Sequence, residues 1–345
     1  MSTRDCQEVF LDGKKYIRDE TTGELLEVLC DRSSTGKKRP WRKHKVENQQ
    51  VEKCYRLLAE RDRGRHWEKY ADRLRDCGVY LFFRVHEGGR LTVKHANSCC
   101  VRLCPVCAWR RSVKIRVHMR KILEQMEQEG KYAYLMLTLT VPNIPGEELS
   151  GKLDEMLRAW SKLERTVPFQ KAIKGWYRGL EITHNLGNDT YHPHFHCLLA
   201  VNPSYFRDRT YICHEDWLAL WQRAMKDESI TQVDIRKVKP RQGDDAFKAV
   251  CEVTKYAAKT TDYVMPWDWE MSCQIVEVLD RALHRRRLVA FGGRLKKLHK
   301  QLNLDDEIDG DLTEGGEMPE GEIVSEICAV WHVGYQQYIV SVSGG

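Results

Sequence analysis

The segment YHPHFHCLLAV, residues 191–201, leaves the chain little conformational choice. Histidines alternate with apolar residues and then give way to an apolar run, the pattern of a half-buried strand. Successive side chains of a strand point to opposite faces. His192, His194 and His196 therefore share one face, and Pro193, Phe195 and Cys197 point the other way, toward a core. The preceding segment WYRGLEITH (176–184) reads as a second strand, and Leu186–Asp189 as the turn that joins them into a hairpin. That register sets Glu181 roughly opposite residues 194–196, beside two imidazoles. A His/His/Glu set with open positions suits a divalent cation, Mg²⁺ or Mn²⁺, acting as a Lewis acid. Glu181 is preferred to His192 as the third ligand. Thr183 shares the face but carries no charge. The plainer alternative is three histidines that simply alternate with packed residues.

The hairpin sits inside a regular block. YAYLMLTLTV (132–141) reads as a strand. Leu149, Leu153, Met156, Leu157, Trp160 and Leu163 then recur at helical spacing. After the hairpin come a helix in HEDWLALWQRAMKD, a strand in TQVDIRKV and a helix over 244–264. This β-α-β-β-α-β-α order predicts an α+β fold, a central antiparallel sheet backed by helices, and not a doubly wound parallel one. Neither G-x-G-x-x-G after a strand nor G-x-x-x-x-G-K-[ST] occurs, so no ATP-driven motor is expected.

Charge is placed unevenly. All 56 basic residues lie in the first 300 positions, whereas residues 301–345 hold ten of the 50 acidic ones. The first part therefore suits a polyanionic partner. No stretch approaches the roughly 18 apolar residues of a membrane span, and the first residues lack a secretory h-region. A reducing, cytoplasmic location is expected. The 345 residues divide into a poorly ordered arm (1–40), a basic cysteine-bearing region (41–130), a core (131–265), a basic helical extension (266–302) and an acidic linker with a final edge strand (303–345).

Thirteen cysteines, an odd number, argue against a disulfide scaffold, and four of them crowd into CCVRLCPVC (99–107). Cys104-x-x-Cys107 has zinc-knuckle spacing. With Cys100 and Cys77 it gives C-x22-C-x3-C-x2-C, a structural Zn²⁺ site closed by the hairpin of strands 79–85 and 90–96. Cys99 is the adjacent alternative to Cys100. The run that follows, with Arg110, Arg111, Lys114 and Arg116, is basic enough to sit on DNA phosphates.

At about 100° per residue, Glu252, Lys255, Tyr256 and Lys259 occupy one face of the helix over 244–264. A carboxylate, a phenol and two ammonium groups are thereby gathered. An ordinary solvated face is the plainer reading. Near a metal-bearing strand the face acquires a chemical meaning. A phenol of pKa about 10 is roughly one part in a thousand phenolate at neutral pH, and a nearby cation raises that fraction. Tyr263 falls on the same side, two turns away.

LTLTVPN (137–143), HPHFHCLL (192–199) and EVTKYAAK (252–259) resemble, in order and spacing, the three motifs of rolling-circle replication initiators of small bacterial plasmids. These belong to the HUH endonuclease superfamily, named for histidine-hydrophobic-histidine. The resemblance runs from about Cys77 to Tyr263 and includes DCG and CxxRLCPxCxWRRS. It implies an HUH endonuclease core with an added zinc module and a metal-dependent nicking and joining activity. Tyr256 matches the nucleophile and Glu252 the glutamate that activates water, in the one-tyrosine class; Lys255 and Lys259 flank them. Thr138 and Thr140 either line the metal site or fill the sheet, and the second is preferred. Implied partners are plasmid origin DNA, as a single-stranded loop or hairpin, and a host helicase and DNA polymerase. Two rival readings are an HUH-type single-strand transposase and a catalytically inactive zinc-dependent DNA-binding regulator.

Overall fold

The computed structural model describes residues 7–62, 66–238, 263–304, 312 and 321–341. They fall into two compact units. One takes in Met1–Lys114 and Asp309–Gly345, the other Ile115–Ile308.

The first unit begins with strands β1 (Glu8–Leu11), β2 (Lys14–Arg18) and β3 (Leu25–Glu27), an antiparallel sheet where the sequence suggested a loose arm. The fold is held by very few apolar residues, Ile17 and Val28 against Tyr335, which is why periodicity did not announce it. Helix α1 (Trp41–Arg61) buries Trp41, Val51, Tyr55 and Leu58 along one stripe. The same stripe also buries Lys45 and Asn48, an arrangement that costs free energy unless both find partners. Helix α2 (Trp67–Asp76) buries Trp67, Ala71 and Leu74. Strands β4 (Tyr80–His86) and β5 (Leu91–Ala96) form the expected hairpin, turning through Gly88 and Gly89 at φ 75° and 76°.

Helix α3 (Pro105–Glu129) leads into the second unit. There β6 (Ala133–Thr140), α4 (Gly146–Leu163), the short α5 (Val167–Ala172), β7 (Ile173–Asn185), β8 (Thr190–Val201), α6 (His214–Met225) and β9 (Val233–Lys237) follow the order read from the sequence. The expected helix over 244–264 lies outside the described residues, save Tyr263 and Val264, both buried. Helix α7 (Trp269–Leu283), strand β10 (Val289–Gly292) and helix α8 (Gly293–Gln301) complete the unit. The extension expected to be helical thus contains a strand, and that strand pairs with β7.

The sheet runs β10-β7-β8-β6-β9 and every pairing is antiparallel. The α+β architecture with a hairpin at its centre is therefore present. Phe195 points away from the histidines and lies against Trp160 of α4 and Trp221 of α6, at ring distances of 6.1 and 6.2 Å. It is fully buried, worth about 1.5–3 kcal/mol. On the opposite face Leu198 and Ala200 lie in a cluster with Ile115, Met119 and Ile122 of α3 and Leu295 and Leu298 of α8. His196, His194 and His192 continue that second face along the same strand.

The chain then returns to the first unit as β11 (Ile323–His332) and β12 (Gln337–Ser341). The final segment, read as one edge strand, is a hairpin. Its first strand pairs with β4, giving the order β12-β11-β4-β5. Among the described residues there are eight helices, and none is long and apolar enough to cross a membrane.

Candidate functional site

The hairpin register places Glu181 directly opposite His194, and Gly179 opposite His196. Glycine leaves room on β7 beside the second imidazole. Oε2 of Glu181 lies 3.0 Å from His196 Nε2 and 3.7 Å from His194 Nε2, and the two Nε2 atoms are 3.1 Å apart. All three donors fall within 4.8 Å of one another. His192 stands next to this group without joining it, its ring 5.3 Å from that of His194.

The outer ring nitrogens decide what this cluster can hold. His194 Nδ1 is 3.1 Å from the carbonyl of His192, which can only accept, so Nδ1 carries the proton. His196 Nδ1 is 3.3 Å from the hydroxyl of Thr138, its cross-strand neighbour on β6. With the ring proton on Nδ1, as a bound metal would require, each Nε2 would offer its lone pair beside the carboxylate. Three lone pairs at this spacing call for a cation. Burial pushes Glu181 up, but hydrogen bonds and charge from His194 and His196 prevail and hold it far below the usual carboxylate range. A metal ion would take the place of the proton that bridges the rings to Glu181. The donor set fits a divalent cation. Thr138 does more than fill the sheet, because its hydroxyl touches one of the rings.

The second cluster is in the first unit. Cys77, Cys99, Cys104 and Cys107 are all buried and their sulfurs converge. Cys77 is 3.6 Å from Cys104 and 3.6 Å from Cys107, and Cys99 is 3.7 Å from Cys107. These separations are far too long for disulfides. They match the spacing of about 3.8 Å set by a tetrahedron of thiolates about 2.3 Å from zinc. Cys99 takes the place the sequence reading gave to Cys100. Cys100 sits at φ 54°, a left-handed kink, and its side chain is exposed.

The surroundings explain the polar residues buried on α1. Asn48 donates to Cys104 Sγ at 3.3 Å. Lys45 Nζ donates to the Cys77 carbonyl at 2.6 Å, the Arg75 carbonyl at 3.0 Å and Asn48 Oδ1 at 3.2 Å. Burial lowers the Lys45 pKa while the nearby thiols raise it. If the four sulfurs held a dication as thiolates, an ammonium here would offset their excess negative charge. Gly78 follows Cys77 at φ 64°, and its carbonyl accepts from Tyr338 Oη at 2.6 Å. The C-terminal hairpin thereby pins the turn that carries the first ligand.

The other residues singled out fare differently. Arg110, Arg111 and Lys114 are buried, and Arg116 is half-buried. Arg110 donates to the Leu312 carbonyl and stacks over Trp41 and Trp109. Arg111 donates to the Cys100 carbonyl. These two guanidiniums brace the cysteine region and do not present themselves to phosphates. Glu252, Lys255, Tyr256 and Lys259 lie outside the described residues.

An antiparallel α+β unit with a two-histidine, one-glutamate hairpin, together with a four-cysteine unit, defines a protein with two candidate metal centres. Residues 90–339 match the family model described as replication protein. The chain is 41% identical over 332 residues to "Protein rep" of Bacillus amyloliquefaciens, covering 91% of this chain and 97% of the relative. It is 35% identical over 326 residues to "Protein rep" of Lactiplantibacillus plantarum, covering 92% and 100%. For "Protein rep" of Streptococcus pneumoniae serotype 2 the values are 33% over 324 residues, covering 92% and 97%. No solved structure matches. The chain belongs to this replication protein family, in agreement with the resemblance drawn from its three motifs.

Proposed function

We propose that this chain is a rolling-circle initiator of plasmid replication, a sequence-specific endonuclease that nicks and rejoins one strand of its origin. The observation that carries this reading is the convergence of Glu181, His194 and His196 on the central hairpin of a replication-family protein. Bound there, Mg²⁺ or Mn²⁺ supplies Lewis-acid charge for a phosphate oxygen of the scissile bond. Tyr256 is the nucleophile. Its phenolate oxygen attacks phosphorus, the bond from phosphorus to the 3′ oxygen breaks, and that oxygen leaves and takes up a proton. The products are a 5′-phosphotyrosine and a free 3′-hydroxyl. One phosphoester replaces another, so strand joining is the same step in reverse. Lys255 and Lys259 favour the phenolate, and Lys255 also contacts the DNA.

Glu252 serves the last round, when Tyr256 is already esterified and an activated water must release the strand. The free 3′-hydroxyl primes a host polymerase, and strand separation falls to a host helicase. The four cysteines hold a structural Zn²⁺ ion. The protein works in the bacterial cytoplasm.

The test is nicking of a supercoiled plasmid carrying its own origin, with the protein–DNA adduct mapped by mass spectrometry. Tyr256→Phe should abolish nicking and adduct while DNA binding persists. An adduct on another residue would overturn the assignment of Tyr256. Origin binding without any nicking by the native protein would make it a DNA-binding regulator.

A further inference from the structure

A cavity of about 580 Å³ opens in the second unit between α4, the edge strand β10 and α8. Such a volume is within the usual range for small-ligand sites, about 300–1,000 Å³. Its wall includes two buried hydrogen-bond donors that meet no acceptor among the described residues, Nε of Arg178 and Nε1 of Trp160. Each residue is 3% exposed. The guanidinium lies 6.0 Å from the Trp160 ring and 4.6 Å from the Phe195 ring, so aromatic faces flank it. Among the described residues this side chain makes one hydrogen bond, a long one, 3.5 Å from Nη2 to the Arg287 carbonyl. A buried guanidinium with one long hydrogen bond and Glu164 nearby keeps unused donors, and an anion would occupy them.

The mouth carries the same sign. Lys296 and Lys300 stand one turn apart on α8 and neither pairs with a carboxylate among the described residues. Glu164 is the single acidic residue on the wall. Trp176 supplies an aromatic surface, its ring 4.9 Å from that of Trp160. The ring has this position because the facing residue is Gly292; a Cβ there would fall inside it. Unused donors, an excess of cations and an aromatic wall together specify an acceptor-rich anion with a flat ring.

We propose that this cavity binds a nucleoside phosphate, the phosphate against Arg178, Trp160 Nε1 and the two lysines, and the base against Trp176. The cavity runs around the β10 edge of the sheet, from α4 on the Phe195 side to α8, and its lining includes none of Glu181, His194 and His196. It does not depend on the nicking activity. Two sources share this chemistry: a nucleotide within a single DNA strand, and a free nucleotide.

Calorimetric titration of the full chain tests it with three probes: an eight-residue thymidine oligonucleotide, thymidine monophosphate and inorganic phosphate. Lys296→Ala/Lys300→Ala should weaken binding at least tenfold. Arg178→Met should do the same, and its fold is checked by circular dichroism; the exposed lysine pair decides should that variant not fold. His194→Ala should leave binding unchanged. Tight binding of the oligonucleotide, lost in the lysine variant, makes the ligand part of a strand. Binding of the monophosphate with no oligonucleotide response to the variants makes it a free nucleotide. Inorganic phosphate binding as well as the nucleotide would overturn the role of the base. No binding by any probe, equal binding by native and variant proteins, or loss in His194→Ala would overturn the site.

Discussion

Glu181 and His196 stand on neighbouring strands, two residues off direct register, and bring Oε2 to 3.0 Å from Nε2. The contact is possible because the residue directly across from His196 is Gly179, which leaves the intervening space open. Glu181 is therefore expected to be the third metal ligand. Glu181→Gln keeps the shape and removes the charge. It should weaken Mn²⁺ affinity tenfold or more, about 1.4 kcal/mol, whereas His192→Ala should change it less than about twofold. Calorimetric Mn²⁺ titration of the two variants distinguishes them. The reverse pattern would make His192 the ligand.

Cys99 and Cys100 are adjacent and the backbone sends them in opposite directions, one into the sulfur cluster and one to solvent. Cys99→Ser should lose the bound zinc and lower the thermal midpoint of the first unit. Cys100→Ser should keep zinc and change stability by no more than about 0.5 kcal/mol, as for an exposed site. Metal analysis and thermal unfolding of both proteins read the two outcomes directly. Zinc lost from the Cys100 variant alone would reverse the ligand choice.

The hairpin chemistry was legible because a strand's period of two is rigid. Three histidines at alternate positions must share a face, and a four-residue turn fixes what lies across from them. The cysteine choice turned on a single φ angle, which spacing does not encode. One signal was available, since in the motif CxxRLC the first cysteine is Cys99. Arg110 and Arg111 misled because a charge run on a helix suggests solvent; here Arg110 lies over Trp41 and Trp109 and donates to the Leu312 carbonyl of a returning C-terminal segment, and Arg111 donates to the Cys100 carbonyl. That return joins residues more than 200 positions apart, through β4 and β11, and local pattern carries no trace of it. Strand β10 was hidden for a similar reason. It is four residues long and takes its conformation from pairing with β7.

Gly292 is required by close approach and not by its backbone angles, since its φ is −143°. Gly292→Ala puts a methyl group into the space of the Trp176 ring. The ring must move, at a cost of about 1–3 kcal/mol for overpacking. Chemical denaturation should show that loss. The displaced ring should also weaken nucleotide binding in the neighbouring cavity. A variant as stable as the native protein would mean that the ring yields without strain.

Thr138 lies beside the histidine pair and offers a test of how the site is set. Its hydroxyl is the partner of His196 Nδ1, at 3.3 Å across the β6–β8 pairing. With a cation held by Nε2, Nδ1–H would donate to that oxygen and fix the ring in this tautomer. Thr138→Val preserves the shape and removes the acceptor. The ring can then place its proton on Nε2, which opposes metal binding. Loss of such an outer partner typically weakens metal affinity 10–100-fold. Mn²⁺ affinity should fall by about that factor, and nicking should be recovered at high Mn²⁺, because the three ligands remain. Thr138→Ser restores the hydroxyl and should restore most of the affinity. A loss of nicking that high Mn²⁺ does not relieve, or an equal loss in the serine variant, would assign Thr138 to packing of the sheet.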